Sequence, residues 1–141
     1  ARDGEGANCL IEVIEENAKN ESDALIIARS ISNSMLVKAA IHGCDPNWGR
    51  IIAAAGNTGI QFKIDDVDLF IGEFQILRKG KLISFEKEKV SSYIKNKMNG
   101  DYLENDIVQI IFNLNHGESK GISWGCDLSK KYVEINSEYT T

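Results

Sequence analysis

Only one proline interrupts the 141 residues, and only two histidines and three cysteines are present. With so little proline, and with 43% apolar residues, the chain does not read as a disordered linker. The three cysteines, Cys9, Cys44 and Cys126, are odd in number and far apart. They fit neither a disulfide framework nor a paired-cysteine metal site. They read instead as buried free thiols of a protein in a reducing cytoplasm. There is no excess of positive charge. The formal net charge is -5, and no lysine–arginine stripe alternates with aromatics, which argues against binding nucleic acid through its phosphates. No apolar run approaches the roughly 18 residues of a membrane span, and no charged-then-apolar leader opens the chain. No internal repeat is visible. The chain begins at Ala1 without methionine, which reads as a processed or excised piece.

What is present is a sequence long enough for one domain of common size, or a small domain plus part of another. Cys9, Ile11 and Val13 alternate with polar positions, predicting a strand over 9–16, closed by a turn at Asn17–Asn20. Ser22 is a candidate N-cap for a helix whose inner face is Ala24, Ile27, Ala28 and Ile31. Ser32-Asn33-Ser34 breaks that pattern, and Met35–Ile41 resumes it until Gly43. Asp45-Pro46 reads as a third helix start, with Asp45 capping and Pro46 in the first turn. Trp48, Ile51, Ile52 and Ala55 form its face, and Gly56 its stop.

From Ile60 the period changes. Val67, Leu69 and Ile71, then Phe74–Leu77, predict a strand pair with a Lys79-Gly80 turn. Val90, Tyr93, Ile94 and Met98 mark the inner face of a helix over 85–98 that stops at Asn99-Gly100. Val108, Ile110, Phe112 and Leu114 predict a strand, turned at His116-Gly117 into a partner strand that runs through Trp124. Asp127 is a candidate cap for a last helix to about Asn136. The order β-α-α-α-β-β-α-β-β-α implies an α+β class, with an antiparallel or mixed sheet and packed helices. The best internal boundary lies near Gly59, giving 1–58 and 59–141.

Four groups of residues can carry chemistry. In Asp3-Gly4-Glu5-Gly6, two glycines let backbone approach a ligand while Glu5 points outward, although a polar turn has the same composition. In Asp45-Pro46-Asn47-Trp48-Gly49-Arg50, a helix N-terminus and a guanidinium could meet an anion. The plainer alternative is a capped helix with Trp48 in the core and Arg50 paired to a carboxylate. His42, Cys44 and His116 are too dispersed for a metal or thiol site, and His116 reads as a solvated turn residue. At the end of the chain, apolar and aromatic residues persist nearly to the last position. There the Asn136 amide and the Thr141 hydroxyl suit direct hydrogen bonding to a substrate carboxylate or amine, although a helix end capped by Asn136 with the last residues packed has the same composition.

Three of these segments occur in order along the chain: Arg2-Asp3-Gly4-Glu5-Gly6-Ala7, Asp45-Pro46-Asn47-Trp48-Gly49-Arg50-Ile51, and Trp124-Gly125-Cys126-Asp127-Leu128 with Ile135-Asn136 and Tyr139. Together they resemble the glutamate N-acetyltransferase/ornithine acetyltransferase family of arginine biosynthesis. The resemblance covers essentially the whole chain and implies the C-terminal portion of that family's β chain. It implies a cytoplasmic, multifunctional acyltransferase made as a self-cleaving precursor whose new N-terminal threonine is the nucleophile. That threonine takes the acetyl group from N-acetylornithine and passes it to glutamate, and acetyl-CoA serves some members as donor. No metal or prosthetic group is implied. The implied partner is the α chain, in a heterotetramer of two α and two β chains, with no nucleic acid and no membrane.

Carried onto this sequence, the resemblance makes Glu5, Asn136 and Thr141 substrate-binding residues. Glu5 suits an ammonium, while Asn136 and Thr141 suit a carboxylate. Asn8 stands where the family usually has threonine. The nucleophilic threonine falls outside these 141 residues and Thr140 and Thr141 do not replace it, so the piece alone is expected to be inactive. Two other readings compete: a related self-cleaving aminopeptidase, and a non-catalytic assembly or binding module.

Overall fold

Alternation of apolar residues builds the sheet, and 3.6-residue periodicity builds the helices laid on it. In the computed structural model, which describes residues 9–98 and 105–127, the elements follow in this order: β1 (Leu10–Ala18), α1 (Glu21–Ser32), α2 (Met35–His42), α3 (Trp48–Gly56), a 3-10 turn (Ile64–Asp66), β2 (Asp68–Ile71), β3 (Phe74–Arg78), β4 (Lys81–Leu82), α4 (Lys87–Met98), β5 (Ile107–Asn113) and β6 (Ser119–Cys126). The expected order is therefore observed up to residue 127, with the two-residue β4 added after the Lys79-Gly80 turn. The predicted helix beyond Asp127 lies outside the described residues, as does the Asn99-Gly100 stop.

One six-stranded mixed sheet holds all the strands, in the order β4-β3-β2-β5-β1-β6. Strands from both sides of residue 59 share it. β1 lies next to the edge of the sheet: it runs parallel to β5, with Val13 opposite Ile110, and antiparallel to the edge strand β6, with Ile14 opposite Ile122. The expected pairing of β5 with the strand after it is thus corrected, because β1 lies between them. The cause is local. The amides of His116 and Gly117 donate to the Asn17 carbonyl at 2.8 and 2.9 Å, so the turn crosses the end of β1 instead of folding β6 back onto β5.

The helices bury one face of the sheet. Ile11, Val13, Leu69, Ile71, Val108, Ile110 and Phe112 meet Ala24, Ile27, Ala28, Ile31, Val37, Ile41, Ile51 and Ala55 in the core. Alpha-1 lies close on β1 and β6 because β6 presents glycines there. A Cβ on Gly121 would come within 2.7 Å of the Ala24 and Leu25 backbone, and one on Gly125 would collide with the Ser32 carbonyl. Ser30 Oγ donates to the Ala54 carbonyl at 2.7 Å and joins α1 to α3, while Ser32 Oγ meets Ser123 Oγ at 2.8 Å and joins α1 to β6. Where β2 has ended, Tyr93 Oη on α4 accepts from the Gln109 amide of β5 at 3.1 Å. On the opposite face Glu12 accepts from Gln109 Nε2 and Trp124 Nε1, both at 3.0 Å.

The caps differ from the sequence reading by two residues each. Asn20, in extended backbone, caps α1 by accepting from the Asp23 amide at 2.8 Å, and Ser22 falls inside the first turn. Asn47, rather than Asp45, caps α3 by accepting from the Arg50 amide at 3.2 Å. An asparagine oxygen does what a serine or aspartate oxygen would do for the orphan amides of a first turn. Gly56 is the last residue of α3, and Asn57 is its C-cap.

Candidate functional site

The two ends of the described chain meet. Cys9 opens into β1 and Asp127 follows β6, and the antiparallel register of those strands sets the two side by side. Asp127 Oδ1 accepts from the Cys9 amide at 2.9 Å, and the Asp127 amide donates to the Cys9 carbonyl at 3.3 Å. The second carboxylate oxygen, Oδ2, lies 2.8 Å from His42 Nδ1. Asp127 is almost wholly buried (1% exposed), while the His42 ring keeps about a third of its surface. A buried carboxylate is tolerated only where hydrogen bonds satisfy it, and here a backbone amide and an imidazole do so.

His42 reaches this place because α2 ends sharply. Gly43 is the C-cap, Cys44 takes a positive φ of 56°, and the Asp45 amide returns to the Ala40 carbonyl at 2.9 Å. The outcome is an aspartate-oriented imidazole at the rim of the sheet, an arrangement that can hold a ring in one tautomer. The Cys9 thiol beside it is buried, which disfavours the thiolate. Burial pushes the thiol far above the ordinary thiol range, and the neighbouring Asp127 carboxylate adds to the effect. Cys9 is buried and free, as the sequence implies. Cys44 and Cys126 are free but only half-buried. Among the described residues, no group of three histidine, cysteine or carboxylate side chains is placed to hold a metal ion. Among them, too, no single helix is long and apolar enough to cross a membrane.

Glu5, Asn136 and Thr141 lie outside the described residues, as does the whole Asp3–Gly6 segment. In the sequence Glu5 precedes Cys9 by four residues. Asn136 and Thr141 follow Asp127, the hydrogen-bonded neighbour of Cys9.

The Asp45–Arg50 segment builds a different place. Asn47 Nδ2 donates to Asp45 Oδ2 at 3.2 Å, which holds the capping side chain. Arg50 NH1 donates to the Leu36 carbonyl at 2.9 Å and so ties α3 to α2. The expected pair of Arg50 with a carboxylate is not seen among the described residues; the guanidinium is engaged by the Leu36 carbonyl instead. Trp48 is not core either. It is 38% exposed and shares a cleft of about 410 Å³ with Pro46, Phe85 and Lys87. His116 is corrected as well. It is mostly buried, with Nε2 3.2 Å from Asp66 Oδ2, since the crossing turn carries it over the end of β1 onto the 3-10 turn. Both histidine–aspartate pairs span distant segments, 85 and 50 residues apart, and no local spacing announces them.

The ArgJ family model matches residues 1–141. The arginine biosynthesis bifunctional protein ArgJ of Prochlorococcus marinus subsp. pastoris is 67% identical over 141 residues, which are all of this chain and 35% of that protein. Its counterpart from Dehalococcoides mccartyi is 50% identical over an alignment of 143 residues, covering 33% of that protein. A crystal structure of arginine biosynthesis bifunctional protein argJ from Bacillus halodurans superposes with a TM-score of 0.88 at 42% identity, over 99% of this chain and 62% of that one. The chain thus spans about a third of the length of the curated relatives it matches.

Proposed function

The chain belongs to the ArgJ family, and from that premise we propose that it is one part of an acetyltransferase of arginine biosynthesis, supplying substrate contacts to a site completed by the rest of the polypeptide. In this reading Glu5 receives the substrate ammonium, and Asn136 and Thr141 donate to its carboxylate. A threonine elsewhere in the molecule attacks the acetyl carbonyl of N-acetylornithine. The ornithine amine leaves with a proton, and the acetyl ester passes to the amine of glutamate, which restores the hydroxyl. Splitting one amide exchange into two ester steps is ordinary covalent catalysis, with the developing oxyanion held by donors outside this chain. Acetyl-CoA as a second donor, and an assembly of two α with two β chains, belong to the same proposal.

One observation carries the reading. The segments bearing Glu5 and Asn136 leave the sheet from residues that are hydrogen-bonded to each other, Cys9 and Asp127. This pairing sets the starting points of the two segments, Cys9 and Asp127, side by side, which supports a shared amino-acid site. Strand β1 and its antiparallel neighbour form a rigid base for such a site.

The test uses the complete protein, assayed with N-acetylornithine and glutamate and, separately, with a peptide amide. Acetyl exchange with Glu5→Ala and Asn136→Ala each lowering kcat/KM by about 10²-fold, with unfolding unchanged, is the expected result. Peptide hydrolysis without acetyl exchange would assign the chain to the aminopeptidase alternative. Unchanged kinetics with separated subunits would make it an assembly module.

A further inference from the structure

At the end of β1 opposite to Cys9, a cleft of about 500 Å³ opens between the Asn17–Lys19 turn, the segment before β2 and the turn after β5. Beta-1 is nine residues long, so the two ends are separated by about 30 Å of strand. The rim of the cleft is built tightly. A Cβ on Gly117 would collide with the Ala18 carbonyl and lie 3.1 Å from Lys19 Cα, so the two turns are in close contact. Asn17 and Asn115 both have positive φ, at 56° and 55°. Asn17 Nδ2 and the Asn115 amide both donate to Asn113 Oδ1, at 3.2 and 2.8 Å, and Asn115 Nδ2 donates to the Asp66 carbonyl at 2.7 Å.

The charges in this cleft are unbalanced. Lys19 and Lys63 both line it, and among the described residues neither makes an ion pair. The acid that lines it, Asp66, has Oδ2 engaged by His116 Nε2. Phe62 forms an apolar wall, fixed edge-on against Phe112 at 5.9 Å between ring centroids. Two exposed lysines and a histidine, with the single carboxylate Asp66, thus line a partly apolar hollow in a chain whose net charge is -5. Its size is that of a small-molecule site.

We propose that this cleft binds a small oxyanion, a carboxylate or a phosphate carried on a small molecule, between Lys19 and Lys63 with His116 at its base. Lysine ammonium groups meet such anions as point charges. Phe62 offers the surface against which the apolar part of the molecule lies. Its test needs no turnover.

The complete protein, labelled with nitrogen-15 at histidine, is titrated with inorganic phosphate and separately with succinate, and the His116 imidazole resonances are followed. A saturable shift with a dissociation constant near 1 mM is expected for at least one probe, a magnitude fitting two or three partly exposed charge contacts. Lys19→Gln with Lys63→Gln should weaken that binding about tenfold or more, which is about 1.4 kcal/mol. Saturation by phosphate alone assigns a phosphorylated ligand, and saturation by succinate alone a carboxylate. The proposal is overturned if neither probe shifts His116 saturably, or if the double variant binds as the parent does.

Discussion

Replacing Glu15 with glutamine should remove a large part of the alkaline instability of this fold. Glu15 lies in the middle of β1 on the core face, in line with Ile11 and Val13, between Phe112 on β5 and Gly121 on β6. It is fully buried, and neither carboxyl oxygen has a hydrogen-bond partner among the described residues. Desolvation raises its pKa from 4.5 to about 8, and Glu16 and Asp23 push the same way. The Leu114 amide opposes this only in part, because its hydrogen bond goes to the Glu16 carbonyl at 3.1 Å. The folded-state value stands above the unfolded one, so the native state holds the proton more tightly between pH 4.5 and about 8. The associated stability is complete below 4.5 and is lost as pH rises through 8. At about 1.4 kcal/mol per pH unit the full linkage is roughly 5 kcal/mol. Water entry and relaxation around an ionised group lower this to about 2–3 kcal/mol. A glutamine side chain at this position has no proton to lose. Urea unfolding of the complete protein, parent and E15Q side by side at pH 5 and pH 8.5, should show E15Q gaining about 2–3 kcal/mol relative to the parent between the two conditions. A stability difference that stays constant with pH to within about 0.5 kcal/mol would refute the reasoning, since additivity alone allows that scatter.

Gly121→Ala should cost about 1–3 kcal/mol by forcing α1 off β6, read as a lowered urea midpoint, while alanine at the exposed and uncrowded Gly56 should be stabilising by a few tenths. Asp127→Ala should cost about 2–3 kcal/mol, because it strips the buried Cys9 amide of its acceptor, and amide exchange at Cys9 should accelerate by orders of magnitude while that of Ile110 follows global stability alone. Asn47→Ala should destabilise α3 by about 1 kcal/mol, and Asp45→Ala by less, because Asn47 rather than Asp45 caps the helix; the reverse ranking in a thermal melt would contradict the observed cap.

Most of the fold is legible in the sequence because its elements are amphipathic. The face Ala24, Ile27, Ala28 and Ile31 is buried as the period demands, and so is Val108, Ile110, Phe112 and Leu114. What is not legible is long-range. A hairpin is the cheapest link between two adjacent strands, so the sequence around His116-Gly117 reads as one. Only the capture of that turn by the Asn17 carbonyl, about 100 residues away, places β1 between β5 and β6. Cap positions shift by two residues because Asn20 and Ser22, or Asp45 and Asn47, are chemically equivalent candidates, and backbone dihedrals decide between them. Hydrophobicity alone places Trp48 inside, although a tryptophan at the first position of a helix need not face its core.

The candidate site divides along the same line. Glu5, Asn136 and Thr141 can be named from the sequence only through resemblance, since a glutamate between glycines and a terminal amide are common features by themselves. The meeting of the described ends of the chain depends on a register that no local pattern encodes: Leu10 opposite Cys126, with Cys9 and Asp127 bonded just beyond. Read locally, Asp127 is a helix cap, a role that would use its carboxylate on its own following turn. Its two oxygens bind the Cys9 amide and approach His42, and the helix it would cap lies outside the described residues. A carboxylate spent in this way fastens the first strand, the last strand and the end of α2 together. Changing that one residue therefore tests whether the corner positions substrate. If it does, Asp127→Asn, which keeps the acceptor toward Cys9, should preserve more acetyl transfer in the complete protein than Asp127→Ala. The difference should appear in KM as well as in stability, because a loosened corner misplaces Glu5 relative to Asn136. Equal KM values for the two variants would separate the corner from substrate binding.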